Sequence, residues 1–194
     1  MSAPRVCVYC ASSRSCHPDY HRAAGELGRV LATHGYTVVY GGGGFGSMGA
    51  LADGALAAGG HVQGVIPDFM RELEWGHPGL SELRVVQDMR ARKHLMLEGA
   101  AAAVALPGGS GTLEELLEAI SLKRLGIWLG PIVLVNTRGF FDGFAALMRR
   151  AIDERFMDRR HAAMWTLVAE PAEVPGAIRS AASWSHDARA FAAI

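Results

Sequence analysis

The chain has no excess of charge of either sign and no long apolar run. Its 194 residues include 19 basic and 19 acidic side chains, so the formal net charge is zero. A neutral chain has no broad electrostatic field that would attract nucleic acid or an anionic membrane. No apolar stretch approaches the roughly 20 residues that span a bilayer, and the N-terminus lacks the basic and then apolar segments of a signal peptide. The sequence therefore predicts a cytoplasmic protein with neither nucleic acid nor membrane as a partner.

Cysteine is scarce, and the histidines show no clear metal spacing. The three cysteines, Cys7, Cys10 and Cys16, lie close together near the first predicted strand, which is an unpromising disulfide framework. Cys7 and Cys10 stand three apart in an apolar run, a spacing that favours burial on opposite sheet faces over a redox pair. His17 and His21 have no third ligand. We expect reduced thiols, no metal and no cofactor.

Apolar runs alternate with segments of helical periodicity along the whole chain. Half of the residues are hydrophobic, so a chain of this length can bury the core of a single domain, residues 1–194. Continuous apolar strands that alternate with helices indicate a Rossmann-like, doubly wound parallel sheet with helices on both faces, an α/β fold. The predicted strands are 5–10, 37–40, 61–66, 83–86, 101–106, 131–135 and 165–168. The predicted helices cover about 18–34, 48–58, 88–98 and 140–155, with another after residue 112 and a small terminal one.

The segment 107–115, with the sequence PGGSGTLEE, joins a predicted strand to a predicted helix. Glycines let a ligand approach the backbone, and the free N–H groups at the positive end of a helix attract an anion, so 109–112 could hold a phosphate. Thr112 and Glu115 also have the spacing of a capping box, in which they would satisfy backbone donors and bind nothing. A Walker-type loop is excluded because no lysine follows the glycines.

A second segment places a cation on an apolar stripe. Asp88 can cap a helix on which Arg92 shares a face with Met89 and Met96. In the structural interpretation, the guanidinium covers apolar surface or forms a salt bridge. In the functional interpretation, it binds phosphate or offsets charge during bond cleavage, with Lys93 beside it.

The run from Gly44 through Gly46 to Gly49 has the letters of the dinucleotide fingerprint, with Asp68 about 20 residues beyond it. It follows the second predicted strand, whereas that fingerprint belongs to the first. We therefore favour a backbone loop near a nucleotide over a nicotinamide site.

Together, the two segments resemble motifs of the Lonely Guy family of cytokinin-activating phosphoribohydrolases. The run 89–93, MRARK, resembles the motif M-H-x-R-K, and 107–115 matches P-G-G-x-G-T-x-x-E. The similarity covers nearly the whole chain and includes 6–13, 39–43, 48–49, 64–67 and 125–127. Members have been labelled lysine decarboxylases, yet only Lys93 and Lys123 could hold a pyridoxal cofactor, and neither lies in a recognisable site for one.

The resemblance implies hydrolysis of the N-glycosidic bond of AMP-like nucleotides, N6-prenylated ones included, to a free base and ribose 5-phosphate. It assigns catalysis to Glu115 and Arg92, because a carboxylate near the ribose can stabilise an oxocarbenium-like state and activate water. Glu74 and Ser121 align loosely, and a solvent-facing Glu74 and a packed Ser121 are equally compatible with the sequence. The implied substrate-binding residues are Lys93, Gly108, Gly109, Ser110, Gly111, Thr112, Glu114, Glu74, Ser121, Ser12 and Gly43.

Two departures from the family pattern concern the substrate and the assembly. Arg90 stands where the motif has histidine, and 128–130 replaces the usual polar residues before Pro131. The second lies near the region used for dimer contact, and the resemblance implies a homodimer with its site near the subunit boundary. A nucleotide or molybdenum-cofactor carrier of the same fold, without chemistry, is the alternative from another class.

Overall fold

Seven parallel strands form the centre of the computed structural model, which describes residues 3–74 and 76–192 except for the side chains of Glu72 and Glu74. Their spatial order is β4-β3-β2-β1-β5-β6-β7, and each neighbouring pair is parallel. The direction of strand addition reverses between β1 and β5, which makes their carboxyl ends the expected ligand site. The doubly wound prediction is confirmed. The strands are β1 (Arg5–Tyr9), β2 (Thr37–Tyr40), β3 (Val62–Pro67), β4 (Glu82–Val86), β5 (Ala100–Ala105), β6 (Ile132–Val135) and β7 (Trp165–Val168).

Helices cover both faces of this sheet and create two apolar cores. The α-helices are α1 (Pro18–Thr33), α2 (Gly46–Ala57), α3 (Asp68–Glu74), α4 (Met89–Leu97), α5 (Ser110–Arg124), α6 (Asp142–Asp153) and α7 (Val174–Ser180). Short 3-10 helices occupy Thr137–Gly139, Arg159–Ala163, Pro171–Glu173 and His186–Phe191. Helices α1, α2 and α7 pack on one face, and α4, α5 and α6 pack on the other. Within the described ranges, no helix combines the length and apolar character needed to cross a membrane.

Strand β1 shows how the sequence supplies both cores. Val6 and Val8 point into the core with α1 and α2, whereas Cys7 and Tyr9 point into the core with α4 and α5. Cys10, directly after the strand, belongs to the first core, so the prediction that Cys7 and Cys10 are buried on opposite faces is confirmed. This alternation is the consequence of the two-residue side-chain period of a strand.

One helix was absent from the predicted pattern. Helix α3 lies in the stretch after β3 that the sequence pattern left irregular. It has only seven residues, and its large apolar side chains Phe69 and Leu73 are 59% and 74% exposed. A helix that does not turn its apolar residues towards the core lacks the periodic stripe from which helices are predicted.

A lysine is buried near the C-terminal end of α5. Lys123 is 1% exposed, and its Nζ donates a hydrogen bond to the carbonyl oxygen of Gly130 at 2.9 Å. Nζ also lies 5.7 Å from the centre of the Trp184 ring. Burial lowers the pKa of Lys123 to about 8, because an apolar environment disfavours the charged amine.

We expect the substitution Lys123→Met to reveal this pKa in the pH dependence of stability. The pKa is lower in the folded chain than in the unfolded chain, so folding is penalised while the buried amine is charged. The free-energy penalty for burying the charged amine is complete below pH 8. It disappears as the pH rises towards 10.5, the ordinary pKa of lysine. Relative to Lys123→Met, the wild type should gain about 3 kcal/mol in free energy of unfolding over that window, measured by urea denaturation. A difference that stays constant with pH would contradict the lowered pKa.

Candidate active site

The glycine turn after β5 leads directly into the first residues of α5. Gly109 is the N-cap in an extended conformation, and within the described chain no side chain hydrogen-bonds to cap the helix. The first helical bond runs from the Leu113 amide to the Gly109 carbonyl at 3.0 Å, so the amides of 110–112 have no acceptor within the helix. Because Thr112 lies inside the helix instead of at its cap, the capping-box interpretation is wrong. The turn presents backbone donors at the positive end of a helix.

Glycine occurs at the positions of this turn for different structural reasons. A Cβ atom on Gly108 would lie 2.2 Å from Oγ1 of Thr112, so the side chain of Thr112 packs where any other residue would clash. A Cβ atom on Gly109 or Gly111 would meet nothing within 4 Å. Packing therefore requires glycine at 108, whereas 109 and 111 leave open space through which a ligand can reach the backbone.

Glu115 lies one turn further along α5 and is buried. Its exposed neighbour Glu114 projects about 100° away around the helix, so the two carboxylates face different surroundings. Burial raises the pKa of Tyr9 well above its ordinary range, and the neighbouring Cys7, Glu115 and Glu118 raise it further. Tyr9 is therefore a neutral phenol within the electrostatic reach of Glu115. Sequence reasoning missed this residue, although its place as the last residue of β1 puts it at the sheet reversal.

Lys93 joins α4 to α5 through two ion pairs. Its amine contacts the carboxylates of Glu114 at 2.5 Å and Glu118 at 2.9 Å. Burial alone would lower the pKa of Lys93, but the hydrogen bonds to Glu114 and Glu118 outweigh it and raise the pKa. The site thus contains a fixed cation, and the carboxylate of Glu114 is engaged by it.

Arg92 lies beneath the glycine loop 41–46. It is 3% exposed, and it donates from Nε to the Val65 carbonyl at 3.2 Å and from Nη2 to the Gly41 carbonyl at 3.0 Å. The sulfur atoms of Met70 and Met89 flank Nη1. The side chain therefore does not snorkel to solvent but holds the carboxyl ends of β2 and β3 against α4.

The loops after β1 and β2 meet near the N-terminal end of α2. Gly43 is buried, forms an isolated bridge with Gly76 and accepts a hydrogen bond from the Tyr40 hydroxyl at 3.1 Å. Ser12 follows β1, and its backbone packs so closely on Gly46 that a Cβ there would lie 2.6 Å from the Ser12 carbonyl carbon. The loops after β1, β2 and β5 thus lie at the same edge of the sheet.

One predicted residue is not brought to the glycine turn, and another lies outside the described residues. Ser121 is exposed, its hydroxyl donates to the Leu117 carbonyl at 2.8 Å, and it lies about 14 Å along the helix from Thr112. The prediction for Glu74 falls outside what is described, because only the backbone of this residue at the end of α3 is given.

A cavity of about 700 Å³ opens between α4 and α5 and includes Glu115 in its wall. This volume lies within the ordinary range for small-molecule sites. Its lining mixes polar and apolar side chains along the facing sides of the two helices, and residues 108–112 of the glycine turn are not part of it. Sequence reasoning missed most of this lining because it depends on the placement of two helices. The polar side chains of the lining are Tyr9, Asp88, Arg90, Lys93, His94, Glu98, Glu115 and Glu118, and the apolar ones are Ala91, Leu97, Leu122, Ile127 and Trp128.

Comparison with known sequences gives consistent matches. Residues 48–178 match the family model described as possible lysine decarboxylase. The cytokinin riboside 5'-monophosphate phosphoribohydrolase LOG of Oryza sativa is 43% identical over 153 residues, 79% of this chain and 63% of that protein. The phosphoribohydrolase LOG7 of Arabidopsis thaliana is 41% identical and covers 79% and 70%. The chain thus spans slightly less than two thirds of the rice relative.

Solved structures share the fold. The protein TM1055 superposes with a TM-score of 0.72 at 29% identity, covering 91% of this chain and 98% of that one. The molybdenum cofactor carrier protein of Chlamydomonas reinhardtii also gives a TM-score of 0.72, at 24% identity, over 91% and 96%. At that identity the similarity to the carrier concerns the fold alone.

The contrast between the glycines can be measured with two alanine variants. Gly108→Ala forces Cβ against Thr112, so we expect a loss of about 1–3 kcal/mol in the free energy of unfolding. Gly111→Ala enters open space in the first turn of α5 and should be neutral, or stabilising by up to about 1 kcal/mol. Thermal and urea denaturation of both variants test this, and equal destabilisation would contradict the geometry of the turn.

Proposed function

The chain belongs to the family described as possible lysine decarboxylase, which contains the Lonely Guy phosphoribohydrolases, and from this we propose that it hydrolyses the N-glycosidic bond of nucleoside 5'-monophosphates. AMP and N6-modified adenosine monophosphates, such as cytokinin riboside 5'-monophosphates, are the substrates. The products are the free base and ribose 5-phosphate. The observation that carries the proposal is a buried carboxylate, Glu115, one helical turn from the open amides of 109–112.

The 5'-phosphate binds the N-terminal end of α5. Gly109, Ser110, Gly111 and Thr112 supply backbone N–H donors, and the helix dipole favours the negative charge. The absence of side chains at 109 and 111 allows phosphate oxygens to come within hydrogen-bond distance. Gly108, Ser12 and Gly43 shape the surrounding loops.

Glu115 acts on the sugar. Cleavage of the glycosidic bond develops positive charge on the anomeric carbon, which a carboxylate on the ribose side stabilises. The same carboxylate orients and deprotonates the attacking water. Glu115 suits this task better than Glu114, because Glu115 is buried in the cavity wall whereas Glu114 is exposed.

Arg92 and Lys93 complete the basic side of the site. The family motif assigns catalysis to Arg92. The contacts of Arg92 with the carbonyls of Gly41 and Val65 support a role in which it acts from beneath the glycine loop. Lys93 organises Glu114 and Glu118 and places positive charge near the nucleotide. Glu74 and Ser121 belong to the proposal on family resemblance alone.

The name lysine decarboxylase suggests a pyridoxal cofactor, and the two lysines of this chain do not fit one. A pyridoxal enzyme needs an accessible amine that can form a Schiff base. The amine of Lys93 is engaged by two carboxylates, and Lys123 is buried with its amine on the Gly130 carbonyl. The proposed reaction therefore has no step that uses a pyridoxal cofactor.

We expect Glu115→Gln to lower kcat for AMP by about 100-fold or more, with KM changed less than about threefold. The amide keeps the shape of the side chain but can neither accept a proton nor offset positive charge. The measurement is release of adenine from AMP and of isopentenyladenine from its ribotide, followed by chromatography.

Two variants act as controls for this experiment. Glu114→Gln removes an ion pair with Lys93, so its smaller effect should fall on KM. Gly111→Ala obstructs the phosphate without touching Glu115 and should raise the Kd for AMP about tenfold or more. Full turnover by Glu115→Gln would remove Glu115 from the mechanism, and AMP binding without cleavage by the wild type would favour a carrier.

The proposal also includes a homodimer and a cytoplasmic location. Leu117 on α5, and Leu125 and Ile127 directly after it, are 43%, 45% and 58% exposed, and Ile127 lines the cavity, so a partner there would lie beside the cavity. Cys7 and Cys10 are reduced cysteines, each buried in a core, which suits a reducing compartment.

Sedimentation of wild type and Leu125→Glu tests the dimer. The carboxylate of Leu125→Glu would be buried in the interface and should dissociate the dimer. Leu147→Glu, at an exposed apolar position on α6, should leave the dimer intact. A wild-type monomer at micromolar concentration would refute this part of the proposal.

A further inference from the structure

Helix α3 lies at the ligand edge of the sheet but does not bury its large apolar side chains. It follows the carboxyl end of β3, and Phe69 and Leu73 are mostly exposed. The family resemblance assigns substrate binding to Glu74, the last residue of this helix. A helix without a buried apolar face depends on polar contacts for its position. The contacts directly after α3 therefore decide where its end lies.

The residues that follow α3 bond to the glycine loop 41–46. Gly76 forms the isolated antiparallel bridge with Gly43, and the His77 amide donates to the Gly42 carbonyl at 3.0 Å. Gly42 has a φ of +82°, which glycine adopts without strain, and this conformation is part of the path of the loop. The end of α3 and the glycine loop are thus fixed against each other through backbone hydrogen bonds.

The side chain of His77 adds a bond to a third element. Its Nδ1 lies 3.1 Å from the Gly79 amide nitrogen, which can only donate, so Nδ1 accepts and the proton of the neutral ring is on Nε2. Nε2 donates to Oδ1 of Asp53 on α2 at 3.0 Å. The side chain of His77 is 10% exposed and that of Asp53 is 75% exposed. Because α2 begins where the glycine loop ends, His77 connects α3, the loop and α2.

Arg92 holds the same loop from beneath. Its Nη2 donates to the carbonyl of Gly41, the residue that precedes the acceptor of the His77 amide. Two successive carbonyls, those of Gly41 and Gly42, thus accept from Arg92 and from His77. One planar peptide unit joins these two residues, so a shift of the loop at Gly42 also moves the acceptor of Arg92.

We propose that His77 is a positioning residue for the proposed reaction and that, bonded to Asp53, it acts through the glycine loop on Arg92 and on the end of α3. This inference rests on the proposed function, which gives Arg92 its catalytic role. The phosphate site at 109–112 belongs to α5 and does not depend on these contacts. Loss of the bond between His77 and Asp53 should therefore impair cleavage of AMP and leave phosphate binding unchanged.

The exposed position of Asp53 allows a test that does not disturb the core. We expect Asp53→Ala to lower kcat/KM for AMP about threefold, the effect of one lost hydrogen bond near the surface. Asp53→Asn keeps an oxygen that accepts from Nε2 and should stay within about 1.5-fold of the wild type. The inhibition constant of inorganic phosphate, which reports on 109–112, should be the same in all three proteins.

A second pair of variants changes the donor. His77→Asn keeps an acceptor for the Gly79 amide but is too short to reach Asp53, so kcat/KM should fall about threefold or more. His77→Gln can still donate to Asp53 and should retain more of the activity. Ser81→Ala is the matched control, because it removes the hydrogen bond from the Val62 amide to Oγ at 3.1 Å in the same connection between α3 and β4. It should lower the free energy of unfolding without changing kcat/KM.

Several results would overturn the inference: wild-type kinetics in Asp53→Ala, equal loss in Asp53→Ala and Asp53→Asn, a parallel rise in the inhibition constant of phosphate, or the same kinetic loss in Ser81→Ala. If the wild type does not cleave AMP, the proposed function fails. Calorimetric Kd values for AMP then decide the positioning role separately. A Kd raised about threefold in Asp53→Ala and restored in Asp53→Asn supports it, and equal values contradict it.

Discussion

The junction between β5 and α5 is the constraint on which the rest of the site depends. Strand β5 lies beside β1 at the sheet reversal, so the residue that ends β5 determines where the next helix begins. The contact of Gly108 with Thr112 makes the turn tight, and α5 therefore starts with open amides at the sheet edge. Once the helix axis is fixed, the positions of Glu115, Glu118 and Lys123 follow from helical geometry.

Charges around α5 are arranged so that its neighbouring acids have different roles. Lys93 engages Glu114 and Glu118 from the adjacent helix, whereas Glu115 turns towards the sheet and the neutral phenol of Tyr9. The dipole of α5 is positive at the proposed phosphate site, and the side chains of Trp184 and His186 supply hydrogen-bond donors at the opposite, negative end.

Local pattern in the sequence was sufficient for the strands, the doubly wound topology and the glycine turn, because each depends on residues close together in the chain. It was insufficient where partners are distant. The carbonyls bonded by Arg92, on Gly41 and Val65, and the approach of Lys93 to Glu118 require the packing of separate elements. Helix α3 was missed because its apolar residues are exposed. The start of α5 was ambiguous because Thr112 and Glu115 also fit a capping box.

A crystal structure of the Glu115→Gln variant with AMP tests the central claim most directly, since slow cleavage would preserve the bound nucleotide. We predict phosphate oxygens within about 3 Å of the amides of 109–112. The anomeric carbon should face the side chain at 115. A phosphate bound elsewhere, with the amides of 109–112 still facing solvent, would contradict the account.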